Sequence, residues 1–328
     1  MLLPIRIATF NLENFDDKPG KSPSLAERIA VMRPQLTRLN ADILCLQEVN
    51  GQEIEGKPRQ LLALNQLLAG TQYQGYFVVS TKTADNYQVY DERNLVILSR
   101  FDIVSHGQYK NDFIQAPEYR KVTAIPAETE ADKVTWERPV LSAEIKFPNE
   151  QIIHVLNVHL KSKIPSSING QQKSTYSWKS AGGWAEGYFL SSMKRVGQAL
   201  ETRVIIDQII DQDPKAFVVV CGDFNADQSQ VPVMAIRGEI EQTGNAALAN
   251  RVLYPCENGI PESSRYSLFH KGKGEMIDHL LISRNMLEYY KKTEIHNELL
   301  HDESIAFTSD KLFPESDHAP IVAEFSFK

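Results

Sequence analysis

The chain has 328 residues, 42% of them hydrophobic, with 35 basic against 42 acidic side chains and a net charge of −7. That size is enough to bury a large core, and the acidic balance excludes a protein that coats nucleic acid by charge alone. Three cysteines, Cys45, Cys221 and Cys256, supply neither a disulfide framework nor a zinc cluster, and reduced buried thiols are expected for the first two, which lie in apolar runs.

The opening Met1 to Pro4 lacks the basic start and apolar stretch of a signal peptide, and no apolar run is long enough to span a bilayer. A soluble, cytoplasmic chain without membrane insertion is therefore expected.

Apolar runs alternate with longer amphipathic stretches, the pattern of strands covered by helices. Ile5 to Phe10 reads as the first strand. Ser24 and Glu27 form a capping-box pair ahead of Leu25, Ile29, Met32, Leu36 and Leu39 at helical spacing, and Pro34 predicts a kink there. Ile43 to Leu46 is a short strand ending at Gln47-Glu48, and Arg59 to Leu68 is a second helix. Phe77 to Ser80, Leu95 to Ser99 and Val140 to Phe147 are further strands, the last with Leu141, Ala143, Ile145 and Phe147 on one side. Ile152 to Leu160 places Ile153, Val155, Asn157 and His159 on one face, and a polar loop follows. Tyr188 to Ile210 is helical through Leu190, Met193, Val196, Leu200 and Val204, and it leads to the buried strand Phe217 to Val220. Met276 to Ile282 and Ile321 to Phe327 are the last strands. No repeat, low-complexity tract or composition shift marks a linker, so a single domain over 1–328 is expected.

Several of these strands end in carboxylate, amide or imidazole side chains. Asn11 and Glu13 follow the first; Glu48 ends the second; His159 ends the run from Ile152; Asp223 and Asn225 follow Cys221. Asp278 and His279 fall within Met276 to Ile282, and Asp317 and His318 precede the final strand. A core strand gains nothing by finishing in an acid, whereas strand ends in α/β proteins face the crevice where sites are built. Glu48, Asp317, Glu13 and Asp223 are hard oxygen donors suited to Mg²⁺ or Mn²⁺. Asn11 and Asn225 can donate to phosphate oxygens or orient a water, and a carboxylate such as Asp278 can hold His318 in one tautomer. These are the parts of a metal-assisted hydrolysis site.

The ordered segments Thr9-Phe10-Asn11-Leu12-Glu13-Asn14, Leu46-Gln47-Glu48, Leu98-Ser99-Arg100, Asn157-Val158-His159, Gly222-Asp223-Phe224-Asn225, Ile277-Asp278-His279 and Ser316-Asp317-His318-Ala319-Pro320 resemble the motifs of the endonuclease/exonuclease/phosphatase superfamily. The resemblance runs from residue 9 to 320 in family order. It implies an α/β fold, a four-layer α/β/β/α sandwich of two mixed β-sheets. It also implies a catalytic Mg²⁺ or Mn²⁺ on Glu48, with Asn11, Glu13 and Asp317 beside it. In the implied catalytic set, Asp223 orients or deprotonates water, Asn225 binds a phosphate oxygen, Asp278 holds His318 against the scissile phosphate, and His159 is a second imidazole on the phosphate side. His159 is similar to deoxyribonuclease I-like and sphingomyelinase-like members, where exonuclease III-type enzymes carry Tyr. The stretch Lys273 to Asp278 lacks the signature of inositol-polyphosphate phosphatases.

From Lys161 to Arg195 six basic residues stand against one acid, a local charge of +5. Lys161, Lys163, Lys173 and Lys179 there mix with Tyr176, Trp178, Trp184 and Tyr188, a combination that can follow a phosphate backbone and stack bases or equally form a solvated loop packed on the domain. Lys161, Lys163, Trp178 and Arg138 are the candidate substrate contacts, with an ordinary surface salt bridge as the simpler role for Arg138. The leading reading is a monomeric nuclease acting on a phosphodiester of DNA or RNA. The alternatives are a phosphodiesterase or phosphatase on a small molecule or phospholipid, and an inactive binding protein on the same fold. His279, one strand position from Asp278, is expected on the opposite face.

Overall fold

The protein is described by a computed structural model over residues 3–20, 22–305 and 312–327, so Met1 and Leu2 of the opening segment lie outside the described residues. Its layering follows from strands that are apolar on both faces. In β1 (Leu3–Phe15) and β2 (Ile43–Val49), Ile5, Ile7, Ile43 and Cys45 join one buried cluster while Ala8, Phe10, Leu44 and Leu46 join another. Such strands must be covered on both sides.

The remaining principal strands are β3 (Phe77–Ser80), β4 (Asn94–Ser99), β5 (Asp102–Tyr109), β6 (Val140–Lys146), β7 (Ile152–His159), β8 (Phe217–Asp223), β9 (Leu253–Pro255), β10 (Asp278–Ser283), β11 (Tyr290–Ile295) and β12 (Ile321–Phe327). They form two six-stranded sheets, in the orders β11-β12-β1-β2-β4-β3 and β9-β10-β8-β7-β6-β5. Each sheet is mixed, with a parallel central pair, β1 with β2 and β7 with β8, and antiparallel neighbours. The sheets meet face to face: Ile7, Cys45 and Ile97 from one share a core with Ala143, Val155, Val219 and Leu280 from the other. Helices α1 (Leu25–Leu39) and α2 (Leu62–Leu68) cover the outer face of the first sheet, and α3 (Ala181–Gln212) and α4 (Val231–Arg237) that of the second. The expected four-layer sandwich is the observed one.

Most element expectations hold, including the capping box at Ser24 and Glu27, and α1 runs on through Pro34. The second helix starts later than its periodicity suggests. Arg59 belongs instead to the strand Lys57–Gln60, paired with Gln52–Ile54, and its guanidinium meets Glu53 at 2.6 Å. Helix α3 begins earlier, at Ala181, because the Ser180 side chain caps it by accepting from Gly183 N at 2.9 Å. Leu200, counted into its apolar stripe, is 46% exposed, and Ala199 and Ile206 are buried instead. Strands β5, β9 and β11 carry no apolar alternation to read; all three are edges, where one partner suffices and polar side chains are tolerated.

The topology gathers the strand ends at one rim. The parallel pairs bring the carboxyl ends of β1 with β2, and of β7 with β8, side by side. Antiparallel β10 and β12 deliver their starts to the same edge, with Asp278 opposite Asp223 and Ile321 opposite Thr9.

Candidate active site

At this rim each side chain is fixed by a local device. Asn11 Oδ1 accepts from Glu13 N at 2.9 Å in the last stretch of β1, where its register with β2 shifts, and Glu48 Oε2 accepts from Asn14 N at 2.8 Å. Glu13, Asn14, Glu48 and Asn225 all adopt positive φ, at 49°, 46°, 56° and 48°. Left-handed backbone at non-glycine residues is costly and concentrates where side chains must be aimed. Gly222 is forced by geometry: at φ 137° a Cβ would lie 1.9 Å from Val158 O, the backbone of the neighbouring β7.

Asp223 is the hub. Its Oδ2 accepts from Asn11 Nδ2 at 3.1 Å, across the two sheets, and from Asn225 Nδ2 at 3.0 Å, while Oδ1 accepts from Asn225 N at 2.8 Å. His159 Nε2 lies 3.3 Å from Asp223 Oδ2 and 3.5 Å from Glu48 Oε1. On the other side His318 Nδ1 is 2.7 Å from Asp278 Oδ2, and its Nε2 is 3.8 Å from Asp317 Oδ1. Asp317 N donates to Glu13 Oε2 at 3.2 Å. Asp223, Asp278 and His318 each offer an atom within 4.8 Å of the others. All nine candidate catalytic and metal residues are thus brought together.

Burial sets the charges. It pushes Asp223 up to about 7, with Asp278 adding repulsion, and Glu13 up to about 8, with Asp317 adding more. Asp317 rises to about 6 for the same reason, against the pull of His318. His159 is driven well below its ordinary value by burial, then by Arg138 and His318, which disfavours a charged ring beside Asp223 and Glu48. Burial works against charge on His318 too, but Asp278 outweighs it and holds the imidazolium well above its usual range.

The donor set fits a divalent cation. Glu48, Glu13 and Asp317 are hard carboxylates that repel one another at close quarters, and Asp317 Oδ1 and Asp278 Oδ1 are buried without a hydrogen-bond partner.

The candidate substrate contacts divide. Arg138 is buried, donates to Leu160 O at 3.4 Å, and adds to the field at His159; no salt bridge engages it among the described residues. Lys161 is also buried, 3.9 Å from Glu137, and burial lowers it to about 8. Lys163 pairs with Glu275 at 3.1 Å and lines a cavity of about 320 Å³ with Asn225, Leu268, Ile277 and His318. Trp178 is not brought to the cluster: its ring packs against Gly187 of α3, and Lys173 and Lys179 are exposed on or beside its ribbon.

Sequence reasoning gave no role to several supports. Ser316 Oγ donates to Asn11 O at 2.7 Å and accepts from His318 N at 3.1 Å; Ser267 Oγ accepts from Asp278 N at 3.0 Å. Arg28 donates to Leu12 O and Glu13 O at 2.8 and 2.9 Å. Ser316 belongs to the segment Ser316-Asp317-His318-Ala319-Pro320, but Ser267 and Arg28 carry no signal at all. His279 does face away, its ring held between Glu257 at 2.6 Å and Ala226 O at 2.8 Å.

The model of the endonuclease/exonuclease/phosphatase family matches residues 8–318, which spans every one of these rim residues. The chain belongs to that family. No curated protein sequence matches it. Among solved structures, an endonuclease/exonuclease/phosphatase family protein from Bacteroides thetaiotaomicron superposes with a TM-score of 0.59 at 15% identity, covering 100% of this chain and 96% of that one. Truncated TDP2 from Caenorhabditis elegans gives 0.56 at 17% identity over 98% and 97% of the two chains. A 3′ phosphatase, NExo from Neisseria, bound to product DNA hairpin, gives 0.53 at 17% identity over 98% and 99%. These likenesses show a shared fold. Family enzymes are generally phosphoester hydrolases and typically depend on a divalent metal.

Proposed function

We propose that this chain, acting as one domain and a monomer, hydrolyses phosphodiester bonds with Mg²⁺ or Mn²⁺, and that a nucleic acid is its first-ranked substrate. The observation that carries the reading is the convergence of Asp223, Asp278 and His318 within 4.8 Å, with Asn11 and Glu48 facing them from the other sheet. Glu48, with Asn11, Glu13 and Asp317 beside it, would hold the cation, which supplies positive charge to phosphate oxygens.

The protein's own groups supply the rest. Asp223 accepts the proton of the attacking water, and the Asn11 and Asn225 amides keep its carboxylate aimed. His318, charged and held by Asp278, donates to the phosphoryl oxygen on which charge develops. Neutral His159 donates through Nε2 on the other flank. Arg138 adds a fixed positive field and Lys163 reaches the adjoining cavity. The P–O bond to the leaving group breaks as the bond to the water oxygen forms, and the leaving oxygen takes a proton from solvent, giving a phosphomonoester and an alcohol.

Bound DNA in the Neisseria neighbour supports the nucleic-acid ranking, and the acidity of this chain is equally compatible with a small phosphodiester. A panel of single- and double-stranded DNA, abasic DNA, RNA, a chromogenic phosphodiester and a phospholipid, each with Mg²⁺, Mn²⁺ or chelator, tests this. Metal-dependent cleavage of DNA or RNA is expected; cleavage of none of the panel removes the proposal.

A further inference from the structure

A second cavity of about 530 Å³ has walls that carry a marked excess of cations: Arg93, Lys121, Lys133, Lys161 and Lys194. Only Asp132 and Glu137 oppose them in the lining, in a chain whose overall charge is −7. The pairing is incomplete. Glu137 is shared, 3.9 Å from Lys161 and 3.3 Å from Lys194, and Lys121 is satisfied by Glu128 at 2.7 Å. Neither Arg93 nor Lys133 forms an ion pair among the described residues, and the guanidinium of Arg93 meets only Asn14 Oδ1, at 3.4 Å.

The cavity is joined to the catalytic rim through these same residues. Arg93 touches Asn14, whose N–H holds Glu48, and Arg93 and Lys161 both act on His159. Two carboxylates of α3 brace the surrounding segment: Glu186 accepts from Thr123 N at 2.9 Å and Tyr119 Oη at 2.9 Å, and Glu201 from Asp112 N at 2.7 Å and Trp136 Nε1 at 2.6 Å. Cations held close together by a braced frame repel one another unless an anion joins them.

We infer that this cavity takes a second phosphate of the substrate, flanking the one that is cut. The inference rests on the phosphoester reading of the neighbouring centre for where the first phosphate sits. It makes the preferred substrate a molecule with at least two phosphates in series, and it adds Arg93, Lys133 and Lys194 to Lys161 as selecting residues.

Calorimetric titration with thymidine 5′-monophosphate and thymidine 3′,5′-bisphosphate, neither of which contains a phosphodiester, with Mg²⁺ present, tests it on the wild type and on the Lys133→Ala/Lys194→Ala variant. The wild type should bind the bisphosphate about tenfold more tightly than the monophosphate, and this ratio should fall to about one in the variant. Equal affinities in the wild type, or a ratio that survives in the variant, overturn the inference. So does saturation by two independent equivalents of inorganic phosphate without any gain from tethering. Hydrolysis is recorded separately. A binding advantage without hydrolysis of any phosphodiester keeps the cavity assignment and removes the catalytic reading; hydrolysis without the advantage does the reverse.

Discussion

His159 and His318 share one cluster yet are held in opposite protonation states. Burial and Arg138 keep the first neutral, while Asp278 at 2.7 Å keeps the second charged. The same contest between burial and a specific partner operates far from the site. Arg6, 2.9 Å from Glu294, holds that carboxyl down at about 2 against an ordinary 4.5. A depressed acid contributes stability above its unfolded value and loses it as pH falls through the folded one. Glu294→Gln should therefore lower the melting temperature at pH 7, and the deficit should shrink as pH falls from 4.5 toward 2. The pair is partly solvated, so the loss is at most about 1 kcal/mol. Thermal unfolding of both proteins from pH 7 to pH 3 checks this; a deficit that widens with acid would contradict it.

Elements were legible where a repeating pattern met a chemical requirement. The period of two in β6 and β7, and the acids and amides at the ends of β1, β2 and β8, are visible because core strands have no other use for such residues. The start of helix α3 is not legible in the sequence because its first turns, from Ala181, carry exposed Trp184 and Tyr188 in place of an apolar stripe. Edge strands β5 and β11 were invisible because one-sided pairing imposes no alternation. Gly222 was legible as part of a motif but not as a necessity, since the clash that excludes a side chain comes from β7. Gly222→Ala should cost roughly 3–5 kcal/mol, by steric conflict and strained φ together. Urea unfolding followed by fluorescence measures it; a loss under about 1 kcal/mol would mean the β7–β8 pair can separate locally.

Across the whole molecule, the site exists only because two sheets are held in one relative position. Hydrophobic packing between them is tolerant of small slides, whereas hydrogen bonds are not. Asn157, on β7, donates to Leu46 O and Val96 O at 3.0 Å each and accepts from Gln47 Nε2 at 2.7 Å, all fully buried and all across the sheet interface. The period of two puts Asn157 on one face with Ile153, Val155 and His159, and Gln47 lies near the end of a strand, but nothing local reveals a partnership between residues so far apart in the chain. Asn157→Ala leaves these groups unpaired and should cost about 2–4 kcal/mol, with turnover falling further than the folded fraction because Asp223 and Glu48 lose their registration. Paired unfolding and rate measurements check it, and activity that simply tracks the folded fraction would contradict the registration argument.

The central claim is that carboxylates, amides and imidazoles from both sheets act as one hydrolytic unit. Single-turnover cleavage of a phosphodiester by the wild type, Asp223→Asn, His318→Ala and the double variant measures this most directly. Each single variant should slow the reaction by at least about a hundredfold with the fold intact, and the double variant should be little worse than the slower single one. Near-wild-type rates in both single variants would contradict the account.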